Sequence, residues 1–189
     1  PSIYDIKEHQ LDLENSNLDR MGVIIGCGIG GIKTLENEHN IITNKGAKRV
    51  SPQFVAKMIP NIAGGHLSMR FGFRGPSQTI ISACASSNDA IGIALRLIRY
   101  GDADVILTGG TEASITPLTI AGFGNMRALS QNCDNPTKAS RPFDADRDGF
   151  VLSEGAGMIV LESEEHALDR GAPILAELAG YGSTDDAFH

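Results

Sequence analysis

The chain has little of what several protein classes need. Its 189 residues include no Trp, only three Cys and 5% aromatic residues. Three scattered Cys are too few for a disulfide framework or a zinc site, and an odd number suits a reducing compartment. Acidic residues outnumber basic ones by 23 to 16, and a net charge of −7 argues against a nucleic-acid partner, which would need a basic footprint.

Long apolar runs are also missing. No run approaches the length of a membrane span, and the first residues lack the basic, apolar and small segments of a signal peptide. We therefore expect no membrane association and a cytoplasmic location. His and acidic residues show no metal-ligand spacing, so no metal is expected. The chain begins with Pro1 instead of Met, which indicates processing or a longer parent chain.

What is present is a glycine-rich α/β pattern, with 22 Gly and 41% hydrophobic residues. Met21–Ile25 and Val105–Thr108 are predicted to be buried strands, and Gly109–Glu112 a turn after the second. Ile174–Gly182 is predicted to be a last strand. The strand–helix–strand pattern between residues 79 and 108 favours parallel pairing with a right-handed crossover.

Cys84 lies at the centre of this pattern. Thr79–Ile81 is β-rich, the next residues are all small, and from Ile91 apolar residues recur at helical spacing. The thiol is thus predicted at the start of a helix, where unpaired N–H groups and the positive helix dipole favour a nucleophilic thiolate. A buried core cysteine is the alternative, and spacing alone leaves the two interpretations open.

Two further motifs favour structural interpretations. Gly26–Gly31 resembles a dinucleotide-binding turn, but its third glycine is misplaced and no acidic residue follows at the ribose position. We interpret it as a tight loop beside a pocket and expect no nucleotide cofactor. The charged residues between 141 and 154 are predicted to brace loops through ion pairs and backbone hydrogen bonds: Arg141, Asp144, Arg147, Asp148 and Glu154.

Several motifs, in order, resemble those of the β-ketoacyl-[acyl-carrier-protein] synthases, most closely the synthase II type of bacterial fatty-acid elongation: Ser82–Ser87, Gly109–Glu112, Ser140–Asp144 with Arg147–Phe150, and Gly155–Gly157. The resemblance runs from about Met21 to His189. It implies a thiolase-like layered α/β fold with a mixed sheet of the five-stranded type, here incomplete. Residues 1–173 would form most of the first half, without its first strand and helices, and 174–189 the first strand of the second.

The resemblance also implies a chemistry. Cys84 would be acylated by an acyl-carrier-protein thioester, and decarboxylative Claisen condensation with malonyl-carrier protein would follow, without a cofactor. The Cys84 amide would be one oxyanion donor. The family's two catalytic histidines belong to motifs C-terminal to the matched region. We therefore assign no catalytic histidine, and we expect the 189-residue chain alone not to condense.

Further roles follow from position in the family. Ile29, Phe54 and Phe123 would line the acyl pocket, although ordinary core packing is the alternative for each. Lys48, Arg49 and Arg127 would form a basic surface for acidic carrier protein, although solvated loops are the alternative for the first two. Members are typically homodimers, and the strand at Ser77–Ser82 would pair across the two-fold axis.

Three other interpretations remain. A non-catalytic partner subunit of a condensing enzyme would lack the nucleophile, so Cys84 argues against it. A fragment without activity of its own is consistent with the missing histidine motifs. A thiolase-related acyltransferase fits the Ser140–Gly157 motifs less well than a synthase does.

Overall fold

The computed structural model of the protein describes residues 11–188, which divide into two compact units. The first unit contains residues 11–28, 60–112 and 156–188, and it holds nearly all of the sheet. The second contains residues 29–59 and 113–155.

The sheet has four strands in the order β2-β1-β3-β4: β1 Met21–Gly26, β2 Ser77–Ile80, β3 Val105–Glu112 and β4 Gly155–Glu162. β1 pairs in parallel with β2 and with β3. β4 runs antiparallel to β3. The Ser163 amide donates to the Asp104 carbonyl at 2.9 Å and Met158 lies against Gly109, so residue numbers rise along one strand as they fall along the other. The sheet is therefore mixed, as the resemblance implied, with four strands in the described part of the chain.

β1 is buried on both faces, and a helix covers each. Side chains alternate along a strand, so Val23 and Ile25 point to one face and Ile24 to the other. Val23 and Ile25 share a cluster with residues of α3 (Ile62–Phe71). Ile24 packs with Ala90 and Ala94 of α4 (Ser86–Arg99). The nucleophile candidate thus precedes a helix fixed to the sheet by small residues.

The second unit contains three helices, α1 (Ile32–Lys45), α2 (Phe54–Met58) and α5 (Pro117–Asn125). Thr116 caps α5 by accepting a hydrogen bond from the Thr119 amide. The loop from 130 to 154 is braced largely as predicted: Asp148 accepts from Ser130 at 2.6 Å, and Glu154 accepts from the Ile115 amide at 2.9 Å.

Arginines complete this bracing through carbonyl oxygens. Arg141 donates to the Asp146 carbonyl at 2.5 Å and Arg147 to the Asp144 carbonyl at 2.9 Å. These contacts confirm the predicted backbone hydrogen bonds. The predicted ion pairs are not formed among the described residues of this loop.

Two predictions of secondary structure are wrong. Gly109–Glu112 continues β3 and is not a turn, because Gly109 lets the β4 backbone approach: a Cβ there would lie 2.1 Å from the Gly157 carbonyl oxygen. Residues 174–182 form no strand. A strand needs a hydrogen-bonded neighbour, and this segment instead lies along α4, where Arg99 donates to the Ala179 carbonyl at 2.7 Å. The domain boundary at 173 stays a prediction.

The last helix of the described residues, α6 (Glu164–Asp169), follows β4 directly. Within residues 11–188, no helix is long and apolar enough to span a membrane, and no three His, Cys, Asp or Glu side chains are grouped as a metal site would require.

Candidate active site

Cys84 lies in a sharp turn between a strand and a helix, as predicted. β2 ends at Ile80, residues Ala83–Ala85 form one 3₁₀ turn, and α4 begins at Ser86. We call residues 81–85 the Cys84 turn. Ala83 has a φ of 52°, in the left-handed region that a residue with a Cβ rarely adopts. Backbone strain of this kind persists only where surrounding contacts enforce it.

The hydroxyl group of Ser86 supplies two of those contacts. It accepts from the Ser82 amide at 3.0 Å and donates to the Ala83 carbonyl at 2.7 Å, and the residue is buried. The Ser86 side chain therefore ties down the backbone both before Ala83, at the Ser82 amide, and after it, at the Ala83 carbonyl.

Two glycines let the helix approach the sheet. A Cβ at Gly26, the last residue of β1, would lie 2.4 Å from the Ser86 carbonyl carbon. A Cβ at Gly110 of β3 would lie 1.9 Å from the Ser87 hydroxyl oxygen. The first turn of α4 is therefore seated against the carboxyl ends of both strands. Our sequence reasoning missed this role, although glycine inside a strand is a known signal of close backbone approach.

The thiol of Cys84 is exposed, whereas Cys27 is buried. The core interpretation of Cys84 is therefore wrong. Its amide makes no hydrogen bond to another described residue, and α4 has no side-chain cap at its N-terminus. Free N–H groups and a reachable sulfur thus occur together, which is what nucleophilic attack on a thioester requires. Cys133 is also exposed, in the second unit.

Two of the three predicted acyl-pocket residues come together in the second unit. Ile29 and Phe123 line an apolar cavity of about 260 Å³, and Phe123 packs edge-on against Phe150 with ring centroids 5.1 Å apart. The cavity is lined by Ile29, Ile32, Leu118, Thr119, Gly122, Phe123 and Met126. Phe54, the first residue of α2, is not in this lining, and its role stays a prediction.

The three predicted carrier-protein contacts are exposed. Lys48 and Arg49 end a 3₁₀ turn, and Arg127 follows α5 with a φ of 57°. None of the three forms an ion pair with a residue in the described ranges. Their charges are therefore available to a partner.

Neither of the two described histidines of the first unit is placed to act on Cys84. His66 belongs to α3, which covers the sheet face opposite to α4. His166 is hydrogen-bonded to Glu162, and His39 is in the second unit. His9 and His189 lie outside the described residues.

The family assignment rests on sequence as well as geometry. Residues 5–167 match the "Beta-ketoacyl synthase, N-terminal domain" family. The chain belongs to the β-ketoacyl synthase family. This confirms the resemblance inferred from the motifs around Cys84, Gly109 and Ser140.

Curated relatives agree with the family. The chain is 50% identical over 184 residues to a "3-oxoacyl-[acyl-carrier-protein] synthase 2" of Staphylococcus aureus (strain N315) and 48% identical to that of Synechocystis. Each alignment covers 97% of this chain but 44% of the relative. The β-ketoacyl synthase chain therefore spans less than half the length of these relatives.

Solved structures confirm the layered α/β fold. The ketosynthase complex titled "AntDE:AntF (apo): type II PKS acyl-carrier protein in complex with its ketosynthase bound to the hexaketide" matches with a TM-score of 0.88 and 36% identity, covering 97% of this chain and 47% of that one. A β-ketoacyl synthase from Burkholderia phymatum matches with a TM-score of 0.76 and 31% identity, covering 91% and 44%.

Proposed function

We propose that this protein is a 3-oxoacyl-[acyl-carrier-protein] synthase of fatty-acid elongation and that Cys84 is its nucleophile. The observation that carries the proposal is the exposed Cys84 thiol, held in a strained turn at the start of α4, in a chain with relatives of that name at 50% identity. A non-catalytic partner subunit would not need an exposed cysteine at this position.

The first step is acyl transfer. The Cys84 sulfur attacks the carbonyl carbon of an acyl thioester, a new C–S bond forms, and the carrier thiol leaves with the proton given up by the Cys84 thiol. Negative charge develops on the carbonyl oxygen. The free Cys84 amide, which no described residue engages, stabilises that charge as one oxyanion donor.

The second step is condensation. Malonyl thioester loses CO₂ as its C–C bond breaks, and the carbanion left behind attacks the acyl group on Cys84. The Cys84 thiolate leaves, and the product is a 3-oxoacyl thioester two carbons longer. Neither described histidine of the first unit faces Cys84, so we propose that the 189-residue chain by itself accepts the acyl group but does not decarboxylate malonyl thioester.

A product assay with two variants tests this function. With acyl-carrier protein and malonyl-carrier protein, the complete enzyme should form the two-carbon-longer 3-oxoacyl product, detected by mass spectrometry, and Cys84→Ser should not. Cys133→Ser, which alters the other exposed thiol, should retain activity. Product from Cys84→Ser at the rate of the unmodified enzyme would contradict the proposal.

We also propose that the apolar cavity of the second unit receives the acyl tail. Its lining is almost wholly hydrocarbon, and Ile29 and Phe123 both contribute to it. Ile29→Phe should reduce the cavity and lower kcat/KM for long acyl chains more than for short ones. Ile120→Phe, a substitution on an exposed α5 residue outside the lining, is the control. Equal losses at every chain length would argue against this role.

Lys48, Arg49 and Arg127 are the proposed contacts for acidic carrier protein. Their unpaired charges would steer the encounter, so reversing them should raise KM and weaken its salt dependence. We expect Lys48→Glu with Arg49→Glu to raise KM for acyl-carrier protein, while Lys138→Glu, an exposed charge outside the set, does not. An unchanged KM would reject the assignment.

Homodimer formation is proposed through β2. This strand is at the edge of the sheet and pairs with β1 on one side only among the described strands. An unpaired edge is a template for a second chain. Sedimentation analysis should give a dimer of the complete enzyme, and Gln78→Pro, which removes a β2 amide, should shift it toward monomer.

A further inference from the structure

The segment of residues 178–185, here called the docked segment, lies along one side of α4. Tyr181 is its anchor: its ring occupies the space left by Gly92, where a Cβ would lie 2.2 Å from the ring. The Arg96 guanidinium is 5.1 Å from the ring centroid, a distance suited to a cation–π contact. Arg99 holds the Ala179 carbonyl further along the helix.

At the N-terminal end of α4, the docked segment is joined to the Cys84 turn through one carboxylate. The Tyr181 hydroxyl donates to Oδ1 of Asp89, and the Ser82 hydroxyl donates to Oδ2. Asp89 is in the first turn of α4, and Ser82 is two residues before Cys84. One oxygen of Asp89 therefore binds the docked segment, and the other binds the Cys84 turn.

The carboxylate is ionised in this arrangement. The hydroxyl of Ser82 and then that of Tyr181 lower the pKa of Asp89 below its usual value. Hydrogen bonds to a charged acceptor are shorter and stronger than those between neutral groups. The connection thus combines two charge-assisted bonds on one residue.

The side of the Cys84 turn that faces the docked segment is open. An open groove of about 920 Å³ borders the Cys84 turn, α4 and the docked segment, and Ser82, Asp89 and Tyr181 all line it. Since one side of the turn lacks packed neighbours, its position depends on hydrogen bonds. The bond from Asp89 to Ser82 is not needed to dock Tyr181, so docking alone does not explain it.

We propose that Asp89, held by Tyr181, is a positioning residue that keeps the Cys84 turn in its reactive geometry by binding Ser82. This inference rests on the proposed role of Cys84 as nucleophile. Loss of the Tyr181 hydroxyl frees Oδ1, so the carboxylate can rotate and the Ser82 bond weakens. The strained Ala83 backbone then has fewer contacts to enforce it, and the sulfur spends less time aligned with the thioester.

The test is single-turnover acylation of Cys84 by acyl-carrier protein in the complete enzyme, with the adduct mapped by mass spectrometry. We expect Asp89→Asn and Tyr181→Phe to lower the acylation rate roughly tenfold, because small misplacements of reacting groups can cost up to about a hundredfold. The half-saturating concentration of acyl-carrier protein should stay unchanged. Tyr100→Phe and Asp134→Asn, which alter exposed groups without a side-chain hydrogen bond to any described residue, should react like the unmodified enzyme.

A double variant separates positioning from simple stability. Ser82→Ala and Tyr181→Phe act through the same carboxylate, so their combined loss should be smaller than the product of the single losses. Normal acylation by Asp89→Asn, a change in half-saturation alone, or rate losses that merely follow the loss of folded protein would each overturn the inference. No adduct on Cys84 of the unmodified enzyme would instead reject the proposed function, and this inference with it.

Discussion

The two ends of strands β1 and β3 are built in contrasting ways. At their amino ends, Arg20 and Asp104 form a bidentate ion pair, with N–O distances of 2.6 and 2.7 Å. At their carboxyl ends, Gly26 and Gly110 lie opposite each other in the register and present no side chain. The first turn of the helix that follows Cys84 lies against these carboxyl ends.

This contrast assigns different tasks to the two ends. Charged side chains at the amino ends join the two strands, and we expect that changing them leaves the nucleophile in place. Glycines at the carboxyl ends bring a helix start close to the sheet, the usual position of ligand sites in open α/β sheets. Substitutions at the amino ends should therefore lower stability, whereas substitutions at the carboxyl ends should lower reactivity.

The largest expected effect is on reactivity alone. Cys84→Ala should abolish acylation, because the nucleophile is gone, and should leave the thermal unfolding midpoint unchanged, because the side chain is exposed. Acylation measured by intact mass and unfolding measured by circular dichroism would check both expectations. Acylation of this variant would contradict the assignment of reactivity to Cys84 at the carboxyl ends of the strands.

Gly26→Ala should have the next largest effect. The new Cβ would lie 2.4 Å from the Ser86 backbone, so the start of α4 must move away. Overpacking of this kind costs about 1–3 kcal/mol, and we expect an acylation rate at least about tenfold lower in the protein that remains folded.

Gly124→Ala is the matched control for this change, since a Cβ there meets no atom within 4 Å and replaces glycine in a helix. If Gly26→Ala acylated as fast as Gly124→Ala, the close approach at the carboxyl ends would not matter for reactivity.

Glu162→Gln should chiefly affect stability. Glu162 ends β4, beside the amino end of β3, and accepts two hydrogen bonds from Arg170, at 2.6 and 2.7 Å. We expect a loss of about 2 kcal/mol in the free energy of unfolding, typical of a half-buried charged hydrogen bond, with normal acylation. Glu165→Gln on exposed α6 surface is the control.

The pH dependence of this contribution has a defined sign. Burial alone would raise the pKa of Glu162, but hydrogen bonds from Arg170 and His166 outweigh it and lower the pKa below its usual value. The stabilisation is therefore present above the ordinary carboxyl pKa and is lost as the pH falls through the lowered one. Urea unfolding across the acid range should show a flatter profile for Glu162→Gln, and parallel profiles would contradict this assignment.

The smallest expected effects come from breaking the two most exposed Arg–Asp pairs, beginning with Arg20→Met. Both partners of the Arg20–Asp104 pair are about one-third exposed, so solvent weakens the interaction, and the unfolding midpoint should fall by less than in Glu162→Gln. Arg74→Met, which breaks the more exposed pair with Asp19, should cost still less. Slower acylation by Arg20→Met would show that the two ends are not independent.

The same contrast explains what the sequence could predict. Apolar runs and small residues are local signals, and they predict both the strand at Met21–Ile25 and the strand-to-helix position of Cys84. Glycine favours turns, so the sequence predicts a turn at Gly109–Gly110. The actual role of these two glycines depends on Ser87 and Gly157, which only the folded chain brings near. The predicted strand at 174–182 is wrong for the same reason: the neighbour of this segment is helix α4, and the local sequence does not show which element lies beside it.

The measurement that tests the central claim most directly is peptide mapping after incubation with an acyl-carrier-protein thioester. We predict one added acyl group, on the peptide that contains Cys84, with Cys27 and Cys133 unmodified. An acyl group on Cys133, or saturation of the enzyme with Cys84 still free, would contradict the assignment of Cys84 as the nucleophile.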